Sequence, residues 1–441
     1  MNYNHQHHRA RRTQLISEMR RQTGGGIAAI PTSPEAVRNA DTHYPYRPDS
    51  HFYYLSGFPE PEAVAVLLAG NDEGDSKQIL FCRDKNAERE IWDGFRYGPD
   101  AAREIFGFDE AYPIVEVGAK LADWTCDRPA LYTPLGLYPA WDDTITRTLN
   151  EVRNRVRTGV AVPETVVDAR APLAAMRVLK DEHELKLIRR AAEISSGAHR
   201  RAMSRARPGW YEYQVEAELV HEFLSQGAQA VAYPSIVASG PNACVLHYRE
   251  NNRQMQQDDL LLIDAGSEFQ GYASDITRTF PVGGRFSGPQ KAIYEIVLAA
   301  QLACIDAVKP GRPFHDYHQV AERVLAQGMI DLGLCEGSLD AVLESGAYKQ
   351  FYMHRAGHWL GLDVHDAGLY RIQGESHVLQ PGMVLTVEPG CYIRPGDKVP
   401  ERFWEIGVRI EDDVLVTTGG NENLTAATPK TVADVEAACT R

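Results

Sequence analysis

In the first third of the chain, short apolar runs (IAAI at 27–30, HFYYLSGF at 51–58, AVAVLLA at 63–69, QILFC at 78–82) predict β-strands, and the amphipathic AWDDTITRTLNEVRNRV at 140–156 predicts a helix. That mixture indicates an α/β domain. Beyond it, KDEHELKLIRRAAEISSGAHRRAMSRA reads as one long helix, opened by a capping box from Asp181 to Glu184 and stopped by Pro208-Gly209. The change of pattern puts the expected boundary near residue 175, giving units of 1–175 and 176–441.

The second unit contains an internal echo. RPGWYEYQVEAELVHEFL (207–224) and KPGRPFHDYHQVAERVLAQ (309–327) share Pro-Gly, an acid-Tyr pair, Gln-Val and a following helix. Two unrelated helix–turn–helix connections would look the same, whereas a true repeat implies two related halves facing a shared site.

Composition narrows the functional classes. A chain of 441 residues exceeds one ordinary core and implies two domains, or three. Its 44% hydrophobic and 24% charged residues are those of a soluble globular protein. Lys and Arg total 46 against 60 Asp and Glu, a net charge of −14, and no dense basic stripe follows the first two dozen residues, which excludes nucleic acid as the expected partner. No apolar stretch approaches the ~20 residues of a membrane span. The opening MNYNHQHHRARRTQLISEMRRQTGGG is basic without an apolar run, so it is not a secretory signal, and Glu18 argues against a transit peptide; His5, His7 and His8 are expected in a solvated tail. Seven cysteines without a CxxC pair indicate reduced thiols and a cytoplasmic protein.

The chemistry lies in carboxylates and histidines. LLIDAGSEFQGYASDITRTFPV (261–282) predicts a hairpin turning at Glu268 to Gly271, which would place Asp264 directly opposite Asp275. Two like charges so placed repel unless something positive lies between them. Glu388 ends the apolar run of GMVLTVEPGCYI, and Glu411 lies inside EIGVRIEDDVLVT; a carboxylate in either place is costly unless paired or bound to a metal.

HRAGHWLGLDVHD (354–366) adds His354, His358 and His365. The spacing of His354 and His358 is that of a zincin helix, but Arg355 stands where that motif needs its glutamate, and Gly357 and Gly361 oppose a helix. One histidine with four carboxylates forms a harder site that favours Mn²⁺, with Co²⁺, Fe²⁺ or Zn²⁺ also open. Because carboxylates bridge, five ligands suffice for two ions. Arg409 precedes Glu411 by two and shares its face on a strand, suiting a cation that orients a ligand carboxylate.

These residues, together with YPSIVASGPNACVLHY (233–248), FYMHRAGHWLGLDVHDAG (351–368), HFYYLSGFPEPEAV (51–64) and EIWDGFRYG (90–98), resemble the metal-dependent creatinase/aminopeptidase family with the pita-bread fold, and within it the aminopeptidase P group of Xaa-Pro aminopeptidases. The resemblance implies an α/β N-terminal domain and an α+β pita-bread catalytic domain, pseudo-twofold, with an antiparallel sheet flanked by helices. It implies two divalent metal ions held by Asp264, Asp275, His358, Glu388 and Glu411, with Asp275 and Glu411 bridging, and hydrolysis of peptides that carry proline at the second position. By the same resemblance His365 holds the substrate carbonyl or oxyanion; Glu388 can double as the general base, since a carboxylate bound to one ion can still take a proton from the bridging water. His247 and His354 line the site, Arg409 orients Asp264, and Tyr233 and Tyr392 lie nearby. The family also implies a homo-oligomer, dimer or tetramer, in which Trp92 reaches a neighbour's site; a core tryptophan of the first domain is the other reading of that residue.

Prolidase, confined to Xaa-Pro dipeptides, is the nearest alternative, and FYMH with the N-terminal matches speaks against it. Methionine aminopeptidase lacks such a first domain, and creatinase lacks the metal set. A non-catalytic peptide-binding module of the same fold conflicts with a complete ligand set.

Overall fold

A computed structural model describes residues 5–70 and 73–440, which form two compact units dividing between Met176 and Arg177. In the first, helix α1 (Gln6–Thr23) is followed by a six-stranded sheet of β1 (Gly26–Pro31), β2 (Val64–Ala69), β3 (Lys77–Cys82), β4 (Glu110–Pro113), β5 (Ala130–Thr133) and β6 (Thr165–Asp168). The spatial order is β4-β3-β2-β1-β5-β6, with β1, β2 and β3 paired antiparallel and the remaining pairs parallel. β1 and β2 are buried along their whole length, so their runs are continuously apolar rather than alternating.

Two expectations fail in this unit. HFYYLSGF is not a strand: Ser50–Ser56 is a helix, because the Asp49 carboxylate accepts the His51 and Phe52 N–H groups and Gly57 closes the turn at φ 63°. An N-cap and a left-handed stop outweigh the strand preference of the aromatic residues. Nor are His5, His7 and His8 a solvated tail: α1 begins at Gln6 and buries His8, Arg11 and Arg12 with Leu15, Ile16 and Met19. Arg12 donates to Leu55 O at 2.8 Å and Gly107 O at 2.7 Å, satisfying carbonyls where two helices end. Trp92 is 81% exposed on Ala87–Asp93, a helix with no buried residue, which overturns the core reading of that side chain.

The second unit repeats one arrangement. Helices α2 (Glu182–Arg205) and α3 (Glu212–Ser225) precede a ladder of β7 (Ile236–Ser239), β8 (Leu260–Asp264) and β9 (Thr277–Pro281). Helices α4 (Gly288–Ala307) and α5 (Asp316–Asp331) precede β10 (Val384–Val387), β11 (Gly390–Ile393), β12 (Ile406–Arg409), β13 (Asp412–Thr417) and β14 (Gly420–Asn423). In the second half β10-β13-β14 form one antiparallel ladder and β11-β12 another. Both echoed segments therefore lead into the shorter helix of a helix pair. α2 opens with the Asp181–Glu184 capping box, and one apolar cluster runs from Ile194 and Ala198 on α2 through Leu261 and Ile263 on β8 to Val297 and Ala300 on α4 and Leu385 and Val387 on β10. Helices pack on a shared core with the ladders, and the four candidate carboxylates stand at or just beyond the ends of those ladders.

Candidate metal centre

β8 and β9 are joined by a hairpin whose turn residues Gln270 and Gly271 have φ 49° and 84° between the paired Phe269 and Tyr272. Positive φ at both central residues is the type I′ geometry that two-residue hairpins favour. The turn thus lies later than expected, and Asp264 faces Thr277 rather than Asp275. A shift of two residues preserves the face, so Asp275 stands diagonally across from Asp264 on the same side. Both carboxylates reach the Tyr233 hydroxyl, at 2.6 Å from Asp264 Oδ1 and 2.5 Å from Asp275 Oδ1. Its single proton can go to only one of them.

The other two carboxylates come from a second break in a ladder. β10 with β13 and β11 with β12 keep one register, Val387 facing Asp412 and Gly390 facing Arg409, so Glu388 and Glu411 fall opposite each other in the gap. There the strands part. The Glu388 N–H donates to Ala356 O at 2.9 Å and the Glu411 N–H to Thr277 O at 3.1 Å, so each backbone is satisfied by a third segment. Glu411 accordingly lies between two strands rather than within one.

His358 arrives on a loop. Gly357 is required by close approach: a Cβ there would lie 2.0 Å from Thr386 O. His358 N donates to Thr386 Oγ1 at 3.1 Å, and its Nδ1 lies 3.0 Å from Trp359 O, which makes Nδ1 the protonated donor. Nε2 is left 3.4 Å from Asp275 Oδ2 and 3.6 Å from Glu388 Oε1. Asp275, His358 and Glu411 each bring one ligand atom within 4.8 Å of the others, and Asp264 and Glu388 line the same cleft of about 820 Å³.

Electrostatics show what kind of ion the cluster suits. Burial, then the charges of Asp275 and Glu388, push Glu411 well above the usual carboxylate range; burial and Asp264 raise Asp275; and burial lifts Glu388 to about 7. Burial pulls His358 down, but the hydrogen bond to Asp275 and the charges of Glu388 and Asp275 outweigh it and carry the ring to about 9. Carboxylates crowded out of water in this way are stabilised by a multivalent cation, and an oxygen-rich set with one imidazole fits a hard or borderline divalent ion.

A relay surrounds the ligands. Arg409 Nη2 donates to Asp264 Oδ2 at 2.6 Å, Nη1 to Tyr392 Oη at 3.0 Å and Nε to Thr277 Oγ1 at 3.1 Å. Tyr392 Oη lies 2.8 Å from His354 Nε2, and His354 Nδ1 lies 2.8 Å from Arg355 O. With Nδ1–H donated to that carbonyl, Nε2 accepts from Tyr392, so the ring is neutral; burial and then Arg409 hold it at about 3. His365, its ring centre 4.3 Å from that of His358, is lowered by burial and by His358, while His247 lines the same cleft.

Three supporting residues escaped the sequence reading. Thr277 Oγ1 donates to Glu411 Oε2 at 2.6 Å, Thr386 Oγ1 to Glu388 Oε1 at 3.3 Å, and the Asp413 carboxylate accepts the Asp275 N–H at 3.1 Å. Each stands two residues from a candidate ligand (Asp275, Glu388, Glu411), the spacing already used to find Arg409, so the strand period would have found all three.

The model of metallopeptidase family M24 matches residues 186–418, and that of the aminopeptidase P N-terminal domain matches residues 8–132. The Xaa-Pro aminopeptidase of Escherichia coli (strain K12) is 43% identical over 97% of this chain and 96% of its own length, and mouse Xaa-Pro aminopeptidase 3 is 33% identical over 98% of this chain and 85% of its own. Among solved structures, Pseudomonas aeruginosa aminopeptidase PepP superposes with a TM-score of 0.96 at 48% identity, covering 100% of this chain and 99% of that one. No helix among the described residues is long and apolar enough to cross a membrane. An M24 match over more than half the chain, with Xaa-Pro aminopeptidases as full-length relatives, means that this protein belongs to metallopeptidase family M24, with the N-terminal domain of the aminopeptidase P group.

Proposed function

We infer that this protein is a metal-dependent Xaa-Pro aminopeptidase that binds two divalent ions, most favourably Mn²⁺, through Asp264, Asp275, His358, Glu388 and Glu411. The convergence of four carboxylates and His358 on one cleft is the observation that carries the reading. Divalent ions bound by these five residues would supply the positive charge that acidifies a water and polarises the carbonyl before proline. Glu388 takes the proton from the attacking water. His365, neutral because burial and His358 lower it, donates to the developing oxyanion. The Arg409–Tyr392–His354 relay fixes Asp264 on one side and presents a neutral imidazole on the other, while His247 and Tyr233 complete the lining. An Xaa-Pro bond has no N–H and restricts the residue before it, so a dedicated cleft suits it.

The deciding assay supplies metal-stripped protein plus Mn²⁺ with an Xaa-Pro-Yaa tripeptide and, separately, the Xaa-Pro dipeptide. Release of the first residue from the tripeptide, with little from the dipeptide, is expected; the reverse would make the protein a prolidase. Chelation should abolish this activity and lower Tm by several degrees, since it returns the carboxylates to mutual repulsion. Elemental analysis of the untreated protein should give two ions per chain; fewer than one would reject the dinuclear assignment.

We also assign the protein to the cytoplasm, in keeping with the free thiols of Cys82, Cys244, Cys304 and Cys391, and to a homo-oligomer, with exposed Trp92 as a contact candidate for a neighbouring copy. Light scattering at micromolar concentration should show a dimer or tetramer; a monomer would refute the assembly.

A further inference from the structure

The rim of the cleft carries three arginines that the hydrolytic chemistry does not use. Arg249 follows His247 and Tyr248, Arg355 follows His354, and Arg371 opens the short strand Arg371–Ile372. All three line the same cleft as Asp264, His358 and Glu388, and all three are exposed. Among the described residues no carboxylate lies within ion-pairing distance of any of them; Arg371 donates to Gly374 O at 3.1 Å. One exposed, unpaired arginine is ordinary. Three around one opening, in a chain of net charge −14, gather positive charge at the rim of the cleft.

The reaction fixes which part of a substrate meets them. An aminopeptidase seats one residue before the scissile carbonyl, and everything of variable length lies after proline, so that portion must leave through the opening. We propose that Arg249, Arg355 and Arg371 select peptides bearing a negative charge on the C-terminal side of the proline. That charge is a carboxylate, either the free terminus of a tripeptide or an acidic side chain in a longer peptide. A planar guanidinium pairs with a carboxylate through two parallel hydrogen bonds, which a neutral terminus cannot match. This inference rests on the Xaa-Pro reading of the cleft.

The test compares Ala-Pro-Ala, Ala-Pro-Ala amide, Ala-Pro-Glu amide and Ala-Pro-Lys amide on the Mn²⁺-loaded wild type and on the triple variant R249S/R355S/R371S. For the wild type, kcat/KM for the anionic substrates should exceed that for the neutral amide about tenfold, carried by KM, and the advantage should shrink as salt is added. In the triple variant the ratio should fall close to one. Preference for the free acid alone identifies the terminal carboxylate as the ligand; preference for the glutamate amide alone identifies the side chain. Calorimetric binding of Pro-Ala and its amide reads the same discrimination without turnover, and the salt dependence is read on the unaltered protein. Equal kcat/KM for all four substrates, or a ratio unchanged in the triple variant, would overturn the selection while leaving the aminopeptidase reading intact. Failure to cleave any of them would remove that reading and this inference with it.

Discussion

Replacing Glu388 by glutamine should lower kcat by about 10²- to 10⁴-fold, the range that a positioned general base supplies. The fold should survive, because the Glu388 main chain is held by Ala356 O at 2.9 Å, and glutamine keeps the shape of a side chain that accepts from Thr386 at 3.3 Å and lies 3.6 Å from His358 and 3.7 Å from His354. Burial raises Glu388 to about 7 despite the attraction of His358 and Arg409, so neutralising it removes a costly buried charge, and the metal-free variant should melt no lower than the metal-free wild type. The Tm gained on adding Mn²⁺ should shrink, since one ligand is lost. Metal content separates the two roles of the residue. Lost turnover with both ions retained assigns the proton transfer to Glu388, whereas lost turnover with lost metal leaves it a ligand only. Wild-type kcat with full metal content would overturn both assignments.

The carboxylates that converge on one cleft were more legible in the sequence than the strand register and local elements around them, for a physical reason. An acid at the end of an apolar run or inside one has few inexpensive explanations, so Glu388 and Glu411 stand out without any knowledge of pairing. Register is different, because it depends on which residues take positive φ. Gln270 and Gly271 do so, and the hairpin slides two positions from the symmetric guess; Asp264 and Asp275 converge anyway because two is the strand period. HFYYLSGF failed where composition misleads, since Asp49 and Gly57 decide the element from outside the aromatic run. The N-terminal segment was misjudged because charge was equated with exposure: Arg12 is buried, but its guanidinium is spent on carbonyls at two helix ends, which no local pattern reveals. The Arg409–Tyr392–His354 relay was visible only as separate residues, since its members lie 17 and 38 positions apart.

The largest effect on stability should come from Asp366, next to His365 yet outside the metal centre. Its carboxylate is fully buried between Arg177 and Lys180; Lys180 Nζ lies 2.8 Å from Oδ2, Arg177 bonds Oδ1, and Arg177 also reaches Asp363 at 2.7 Å. Asp366→Asn should destabilise the second unit by about 3–5 kcal/mol, because it leaves the buried Arg177 and Lys180 without the carboxylate they share. Replacing Arg177 with methionine together with D366N should cost less than the two single changes summed, since the cation that suffers most is then gone. The pH dependence has a definite sign. Burial would raise Asp366, but Lys180 and Arg177 overcome it and hold the group at about 2, below its ordinary 3.8. A depressed carboxylate contributes stability above its unfolded value, so the gap between wild type and D366N should be full at pH 6, begin to close below about pH 4, and vanish as pH falls through 2. Thermal melts of both proteins from pH 6 to 3 measure this directly. A gap that is absent at pH 6, or that widens on acidification, would mean that Asp366 is not the ionised partner of the two cations.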